Sequence, residues 1–297
     1  MAIPIAQLET WSHQGSVTQS STTYGTIKRA LEASTTKYAS KSFEVFLQGS
    51  YGNQTNIWAE SDVDVVIRLD STYLYDTSAL TPRELAAFNT GLLFATYTYQ
   101  EFKNDVIAAL KNSFGAVVDT SGSKAIKIKA NEARRSADVV VAAVFHRYRS
   151  FSVTNQLDFE KGICFFTPNG TRVVNYPKQH SANCTAKHQA TSSKFKPMVR
   201  TFKNVRSRLV SEKFINAGDA PSYFLEGLLY NVPNGLFTGS YSDSIVSVVN
   251  WICKADRSKF HCANEQFLLL GDSSVHWSPA NCDRFLNGLV ELWTNWK

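Results

Sequence analysis

Two aspartates interrupt a strand-like run of valines. The segment DVDVVIRLD begins at Asp62 and places Asp64 two residues further on, with valines between and after them. Residues i and i+2 of a strand project to the same face, so the two carboxylates share a face and the intervening valine packs on the other. Carboxylates held within about 7 Å repel each other and are costly on an apolar sheet unless a cation neutralises them. The segment therefore predicts either a cation-binding strand or a strand end with solvated acids.

A divalent metal ion is the simplest neutralising partner. Carboxylate oxygens suit Mg²⁺, which prefers carboxylates combined with substrate phosphates. A pair of ions about 3.5–4 Å apart needs a third carboxylate from a neighbouring strand. Asp138, at the head of the apolar run ADVVVAAVF, is the main candidate, and Glu132 lies in less strand-like sequence. Asp62, Asp64 and Asp138 are therefore the candidate ligands for such ions.

A Gly-Ser turn precedes the acidic pair and favours the cation-binding interpretation. Gly49 and Ser50 end the strand-like segment SFEVFLQGS. Glycine permits a sharp backbone turn, and the serine hydroxyl and N–H can meet a phosphate oxygen. The pattern predicts a phosphate-binding turn next to a metal site.

The chain as a whole has the composition of a globular protein. It has 297 residues, of which 43% are hydrophobic and 19% charged, with a net charge of +6 that suits an anionic partner. The first residues lack the basic start and long apolar run of a signal peptide. The five irregularly spaced cysteines favour a reducing compartment. We expect a cytoplasmic protein without membrane association.

The periodicity changes along the chain and predicts two lobes. Strand-like segments alternate with helical ones up to the Pro168-Asn169-Gly170 turn signal and its hairpin, and helical periodicity dominates after about Thr191. The fold class is therefore α+β: a mixed sheet with helices, then a helical lobe. We place the catalytic lobe at residues 1–180 and the helical lobe at 181–297, with a cleft between them as the natural ligand site.

The Gly-Ser turn followed about a dozen residues later by Asp-x-Asp resembles the DNA polymerase β-like nucleotidyltransferase superfamily. Gly49, Ser50, Asp62 and Asp64 match the superfamily pattern, and Asp138 takes the place of its third carboxylate. The resemblance implies that the turn cradles nucleotide phosphates. It also implies that Asp62, Asp64 and Asp138 are catalytic and hold two Mg²⁺ ions, for which Mn²⁺ could substitute.

The second half of the chain narrows the resemblance to the bacterial CD-NTases, which are related to cyclic GMP-AMP synthase and oligoadenylate synthase. The segments VNYPKQH, KFKPMVRTFKNVR and SYFLE carry it, with Lys194 where an arginine is common. The resemblance implies that Lys203 and Ser222 contact the donor triphosphate and that Tyr223 stacks on a base. Lys187 and Asn169 are weaker candidates for nucleotide contact, and Asn175 and Asn183 could equally read a base edge.

Other polar residues fit alternative sites less well. Cys253, His261, Cys262 and Cys282 have zinc-ligand chemistry but no knuckle-like spacing, so ordinary cysteines are expected. His180 and His188 are expected in a loop, where either could touch a substrate.

The resemblance implies a cyclic dinucleotide or short cyclic oligonucleotide synthase that joins nucleoside triphosphates and releases pyrophosphate. Its product would activate a separate effector protein in bacterial antiphage defence. We expect a monomer with no obligatory DNA or RNA ligand. Two alternatives remain open: a template-independent transferase acting on RNA or a small acceptor, and a catalytically silent nucleotide or RNA sensor.

Overall fold

A computed structural model describes residues 2–58, 62–273 and 275–296. The chain divides into two compact units. The sheet unit comprises residues 18–48 and 62–177, and the helical unit comprises residues 1–17, 49–61 and 178–297. The short segment after Leu47 that carries the Gly-Ser turn thus packs with the helical unit. The domain boundary placed at residue 180 from the sequence stays a prediction.

The described residues form ten α-helices, seven strands and three single-turn 3-10 helices. The helices are α1 (Ile5–Ser12), α2 (Thr18–Leu31), α3 (Gly49–Asn53), α4 (Pro82–Thr90), α5 (Tyr99–Phe114), α6 (Pro177–Ala190), α7 (Phe195–Ser211), α8 (Ser222–Tyr230), α9 (Tyr241–Lys254) and α10 (Pro279–Thr294). The strands are β1 (Phe43–Leu47), β2 (Val63–Asp76), β3 (Val118–Asp119), β4 (Ile126–Ile128), β5 (Ala137–Tyr148), β6 (Phe159–Phe166) and β7 (Arg172–Asn175).

The sheet unit is a mixed sheet built around β2 and β5. These two strands pair in parallel, and the other pairings are antiparallel, in the order β1-β2-β5-β4-β3. The C-terminal half of β5 pairs instead with β6, which carries β7. Long apolar runs such as Val139–Phe145 are buried because helices cover the sheet, which is the usual arrangement for parallel strands.

Helices α4 and α5 begin with the same local signal. Thr81 and Thr98 are their N-caps, and Glu84 and Glu101 complete capping boxes by accepting from the cap backbone N–H. Each box satisfies two of the donors that a helix start leaves unpaired. Residues 91–98 separate these two helices.

The helical unit has one large apolar core. Its centre includes Phe195 and Phe202 of α7, Leu225 of α8 and Phe285 of α10, and Trp277 packs with them. None of the helices in the described residues combines the length and apolar character needed to cross a lipid bilayer.

The prediction of a loop around His180 and His188 is wrong. Both residues lie in α6, a helix of 14 residues that starts at Pro177. Proline is well tolerated in the first turn of a helix. Only His180 and Cys184 of α6 are buried, so the helix shows too little apolar periodicity to be recognised from the sequence.

Candidate functional site

The three predicted carboxylates belong to the sheet unit. Asp64 on β2 is the register partner of Asp138 on β5. Side chains of directly paired residues project to the same face of a sheet, and Asp62 projects to this face by the period of two. All three side chains are partly exposed. We call Asp62, Asp64 and Asp138 the acid cluster.

Lys127 on β4 places a positive charge beside the acid cluster. It is the register partner of Asp138 on the side opposite β2. Its Nζ lies 3.2 Å from Oδ2 of Asp62, and the Oγ of Ser136 donates to Oδ1 of the same carboxylate. The pKa of Lys127 is raised, first by its hydrogen bond to Asp62 and then by the charges of Asp62 and Asp138. A cationic group therefore already lies among the acids.

Asp138 has the environment of a proton acceptor. Burial raises its pKa, the charge of Lys127 lowers it, and the charge of Asp62 raises it, with a net increase. A carboxylate with a raised pKa binds a proton more tightly and is a better general base at neutral pH. Glu132, the weaker third-acid candidate, is exposed in the turn between Asn131 and Arg134.

The donor chemistry of the acid cluster fits a hard divalent cation. Three carboxylates supply oxygen ligands of the type that Mg²⁺ prefers. The pKa of Lys127 is raised by its hydrogen bond to Asp62 and by the charges of Asp62 and Asp138, which reports negative charge at this face of the sheet. Asp62, Asp64 and Asp138 are the residues that would hold such an ion.

The Gly-Ser turn lies in the helical unit. Gly49 has φ 63°, in the left-handed region that glycine adopts without steric cost, and it starts the short helix α3. Gln48, the preceding residue, donates its N–H to the carbonyl oxygen of Asp64 at 3.0 Å within the sheet unit. The carbonyl of Ser50 accepts from the Thr55 N–H at 2.9 Å.

Lys203, predicted to contact the triphosphate, is fully buried in α7. Its Nζ lies 3.6 Å from Oε1 of Glu226 and 3.3 Å from Oγ1 of Thr55. The ammonium is thus engaged with buried groups of the helical unit, and its contact with phosphate stays a prediction. The sequence reasoning missed Glu226, although it is the last residue of the SYFLE segment that carried the resemblance.

Ser222 and Tyr223 start helix α8. The hydroxyl of Ser222 accepts from Nη1 of Arg206 at 2.9 Å. The ring of Tyr223 stacks on His180 with centroids 4.9 Å apart, and its hydroxyl accepts from Nδ2 of Asn264 at 2.9 Å. An aromatic ring fixed in this way presents a defined face, and base stacking by Tyr223 stays a prediction.

The two weaker nucleotide-binding candidates have local partners. Lys187 donates to the carbonyl of Val232 and lies over the Phe237 ring at 5.5 Å. Burial lowers its pKa to about 8. Asn169 is exposed in the β6–β7 turn, where its Oδ1 accepts from Thr171 Oγ1 at 3.0 Å. Their roles in nucleotide binding also stay predictions.

The helical unit also gathers three side chains of metal-ligand type. Among the described residues, the group of this kind is His180, Cys184 and Glu226, whose ligand atoms lie within 4.8 Å of one another. Glu226 is the only carboxylate of this group, and its oxygens are already hydrogen-bonded to Asn53, Thr55 and His180. We therefore interpret the group as a polar network. The cysteines and histidine considered as zinc ligands from the sequence are different residues. Of those cysteines, Cys253 is exposed, whereas Cys262 and Cys282 are buried.

Comparison with known proteins identifies relatives over the whole chain. Residues 182–294 match the family model described as the cGAS/DncV-like nucleotidyltransferase C-terminal helical domain. The cyclic UMP-AMP synthase of Rhodothermus marinus is 41% identical over 297 residues, covering 100% of this chain and 99% of that protein. A cyclic nucleotide synthase of Staphylococcus haemolyticus is 35% identical over 302 residues, covering 100% of both chains.

A solved structure agrees with the fold. The Rhodothermus marinus CdnE c-UMP-AMP synthase, solved with Apcpp and Upnpp, superposes with a TM-score of 0.89 at 40% identity, covering 99% of this chain and 97% of that one. The predicted mixed sheet with helices, C-terminal helical lobe and family are thereby confirmed, as is the nucleotidyltransferase class. With relatives of this identity along its full length, the chain belongs to the CD-NTase family of nucleotidyltransferases.

Proposed function

We propose that this chain joins two nucleoside triphosphates into a cyclic dinucleotide. The observation that carries the proposal is the register of Asp64 with Asp138, which sets two carboxylates side by side on one face of the sheet with Asp62 in phase and Lys127 beside them. Full-length relatives at 41% and 35% identity are cyclic nucleotide synthases, which supports the same chemistry here.

In the proposed reaction, the 3′-hydroxyl of one nucleotide, in preference to the 2′-hydroxyl, attacks the α-phosphorus of the second. A new phosphodiester bond forms, the bond from the α-phosphorus to the bridging oxygen breaks, and pyrophosphate leaves. Asp138 orients the attacking hydroxyl and accepts its proton, for which its raised pKa is suitable. The linear product then closes by a second attack of the same kind, with loss of a second pyrophosphate.

The family is generally metal-dependent, and we propose two Mg²⁺ ions, replaceable by Mn²⁺, held by the acid cluster. Bound there, they would neutralise charge on the attacking and leaving oxygens. The Gly49–Ser50 turn and Ser222 would bind phosphate oxygens, and Tyr223 would stack on a base. Lys203 would add a positive charge close to the turn.

We further propose that the two substrates are uridine and adenosine triphosphates. The support is the relative that is 41% identical along the whole chain, which is a cyclic UMP-AMP synthase, and its structure with one adenosine and one uridine analogue. We also propose that the enzyme acts as a monomer and that its product activates a separate effector protein in antiphage defence.

The test is incubation of the protein with each pair of labelled nucleoside triphosphates and Mg²⁺, followed by phosphatase treatment and mass spectrometry. The expected result is a phosphatase-resistant product with the mass of cyclic UMP-AMP, formed only when ATP and UTP are both present. Products extended on an added RNA would identify a transferase of the alternative type. Tight RNA binding without any product would identify a sensor, and either result would overturn the proposal.

A further inference from the structure

The backbone immediately after the Gly49–Ser50 turn is held in an unusual conformation. Gln54 has φ 59°, in the left-handed region that residues other than glycine seldom adopt. Its side-chain oxygen accepts from Nζ of Lys196 at 3.1 Å, and its backbone carbonyl accepts from Nη1 of Arg200 at 2.7 Å. Such a conformation persists only where the surroundings hold it. Helix α7 therefore fixes the chain four residues beyond the turn.

The residues on both sides of Gln54 are held by one carboxylate. Asn53 and Thr55 are 4% and 0% exposed. Asn53 donates from Nδ2 to Oε2 of Glu226 at 3.0 Å, and the Thr55 hydroxyl donates to Oε1 of the same residue. The Thr55 N–H in turn donates to the carbonyl of Ser50. A continuous path of hydrogen bonds thus runs from Glu226 to the turn.

The carboxylate of Glu226 is kept ionised although only 3% of its side chain is exposed. Burial alone would raise its pKa, but the hydrogen bond with His180 and the charge of Lys203 lower the pKa to about 2. The Nε2 of His180 lies 2.6 Å from Oε2. Hydrogen bonds to an ionised acceptor are about twice as strong as those between neutral groups, so this buried anion suits the fixing of a loop.

We propose that Glu226 is a positioning residue, which acts through Asn53 and Thr55 to hold the Gly49–Ser50 turn in the conformation that receives the donor phosphates. The inference rests on the proposed function, because it assigns the turn to phosphate binding. Glu226 itself does not touch the nucleotide. Loosening the turn weakens the binding of substrate and transition state alike, which raises KM and leaves kcat nearly unchanged.

The sharpest test uses a matched pair at Thr55. Thr55→Val removes the hydroxyl and preserves the size of the side chain, whereas Thr55→Ser keeps the hydroxyl. Thr55→Val loses the hydrogen bond that the hydroxyl donates to Glu226 and the one that it accepts from Lys203. We expect KM for the nucleoside triphosphates to rise roughly tenfold, with kcat within about threefold of the parent. Thr55→Ser should retain the parental KM.

Hydrogen exchange at residues 49–55 provides a readout that needs no substrate. Thr55→Val and Glu226→Gln should both increase exchange in this segment, and Thr55→Ser should not. A control is Asn231→Leu, which removes hydrogen bonds to the backbone of Gly227 and His261 in the same unit and none to residues 49–55. It should change neither KM nor exchange at 49–55.

Two results would overturn the inference. One is an unchanged KM in Thr55→Val, whether or not kcat falls, and the other is unchanged exchange at residues 49–55 in both Thr55→Val and Glu226→Gln. If Thr55→Val does not fold, Glu226→Gln decides alone, and exchange at residues 49–55 must then increase more than exchange in the rest of the helical unit. Failure of the proposed function looks different, because the parent protein would then form no cyclic product from any pair of nucleoside triphosphates, while the exchange measurements still report on the link from Glu226 to the turn.

Discussion

Asp64 on β2 lies directly opposite Asp138 on β5 in a parallel strand pair. Neighbouring strands are about 4.8 Å apart, so the two carboxylates project side by side. Like charges in this relationship repel each other and are destabilising unless a cation lies between or beside them. The repulsion between the two carboxylates therefore lowers the stability of the folded protein, whereas their closeness favours binding of a cation. Removing one of the charges should affect stability and activity in opposite directions.

Substitution of either paired aspartate should separate those two effects. We expect Asp64→Asn and Asp138→Asn to lower the rate of product formation by on the order of 10²–10³ or more. Thermal stability should be unchanged or slightly higher, because each substitution removes a repelling charge. Product formation measured by mass spectrometry and a thermal melt of each variant test the two expectations together.

Glu132→Gln is the matched control, because it neutralises an exposed carboxylate of the sheet unit outside the acid cluster. It should keep the parental rate. Near-parental turnover in Asp64→Asn would instead show that the acid cluster does not hold the catalytic metal.

Lys127 is expected to compete with the metal ion. Its Nζ is 3.2 Å from Asp62, with both side chains partly exposed at 46% and 36%. An ion pair of this exposure contributes up to about 1 kcal/mol, so Lys127→Met should lower the Mg²⁺ concentration for half-maximal rate by about two- to fivefold. A Mg²⁺ titration of the rate measures this, with Lys124→Met as the control for loss of an exposed lysine nearby. A higher Mg²⁺ requirement in Lys127→Met would contradict the competition.

The sequence predicts the part of the acid cluster that depends on strand periodicity. Strand β5, Ala137–Tyr148, contains the whole of the run ADVVVAAVF, because a strand buried on both faces is marked by a nearly continuous series of apolar residues. Asp62 and Asp64 share a face because the side-chain period of a strand is two. Both inferences are local, and both rest on patterns within ten or so residues.

The parts that depend on pairing between distant segments could not be predicted. Lys127 lies in an alternating strand-like segment, but nothing in that segment tells which strand β4 pairs with or in which register. Glu226 and Thr55 are 171 residues apart, and neither has a local pattern that marks a buried ion. A buried carboxylate requires partners that only the tertiary fold supplies.

Lys187 is expected to reduce the stability of the helical unit at neutral pH. Burial lowers its pKa from 10.5 to about 8, which means that the folded state disfavours the charged form. The penalty is therefore complete below pH 8 and is relieved as the pH rises from 8 towards 10.5. Lys187 is only half-buried, so the penalty is partly screened by solvent. Lys187→Met should therefore raise the free energy of unfolding by on the order of 1 kcal/mol at pH 7. Loss of the hydrogen bond to the Val232 carbonyl will offset part of this gain.

Urea denaturation followed by tryptophan fluorescence measures this gain, because all six tryptophans lie in residues of the helical unit. The gain should shrink between pH 7 and pH 10. Lys254→Met, an exposed lysine at the end of α9, is the control and should show no such pH dependence. A lower free energy of unfolding in Lys187→Met than in the parent at pH 7, or a gain of the same size at pH 7 and pH 10, would contradict the prediction.

Glu226→Gln should destabilise the helical unit at neutral pH, and the size of this destabilisation should decrease in acid. The folded-state pKa of Glu226 is lowered from 4.5 to about 2. Its contribution is therefore fully present above pH 4.5 and is lost as the pH falls through the interval down to about 2. Because the substitution leaves Lys203 buried without its counter-charge, we expect a loss of about 3 kcal/mol at pH 7.

The measurement is again urea denaturation by tryptophan fluorescence, at pH 7, 4 and 3. The difference between parent and Glu226→Gln should narrow progressively at the two lower values, because the parent begins to protonate Glu226 in its unfolded state first. Glu265→Gln removes an exposed carboxylate of the same unit and should give a small difference that does not narrow in this way. A difference for Glu226→Gln that stays constant from pH 7 to 3 would mean that Glu226 is not ionised in the folded protein, and the charge balance with Lys203 and His180 would then have to be assigned differently.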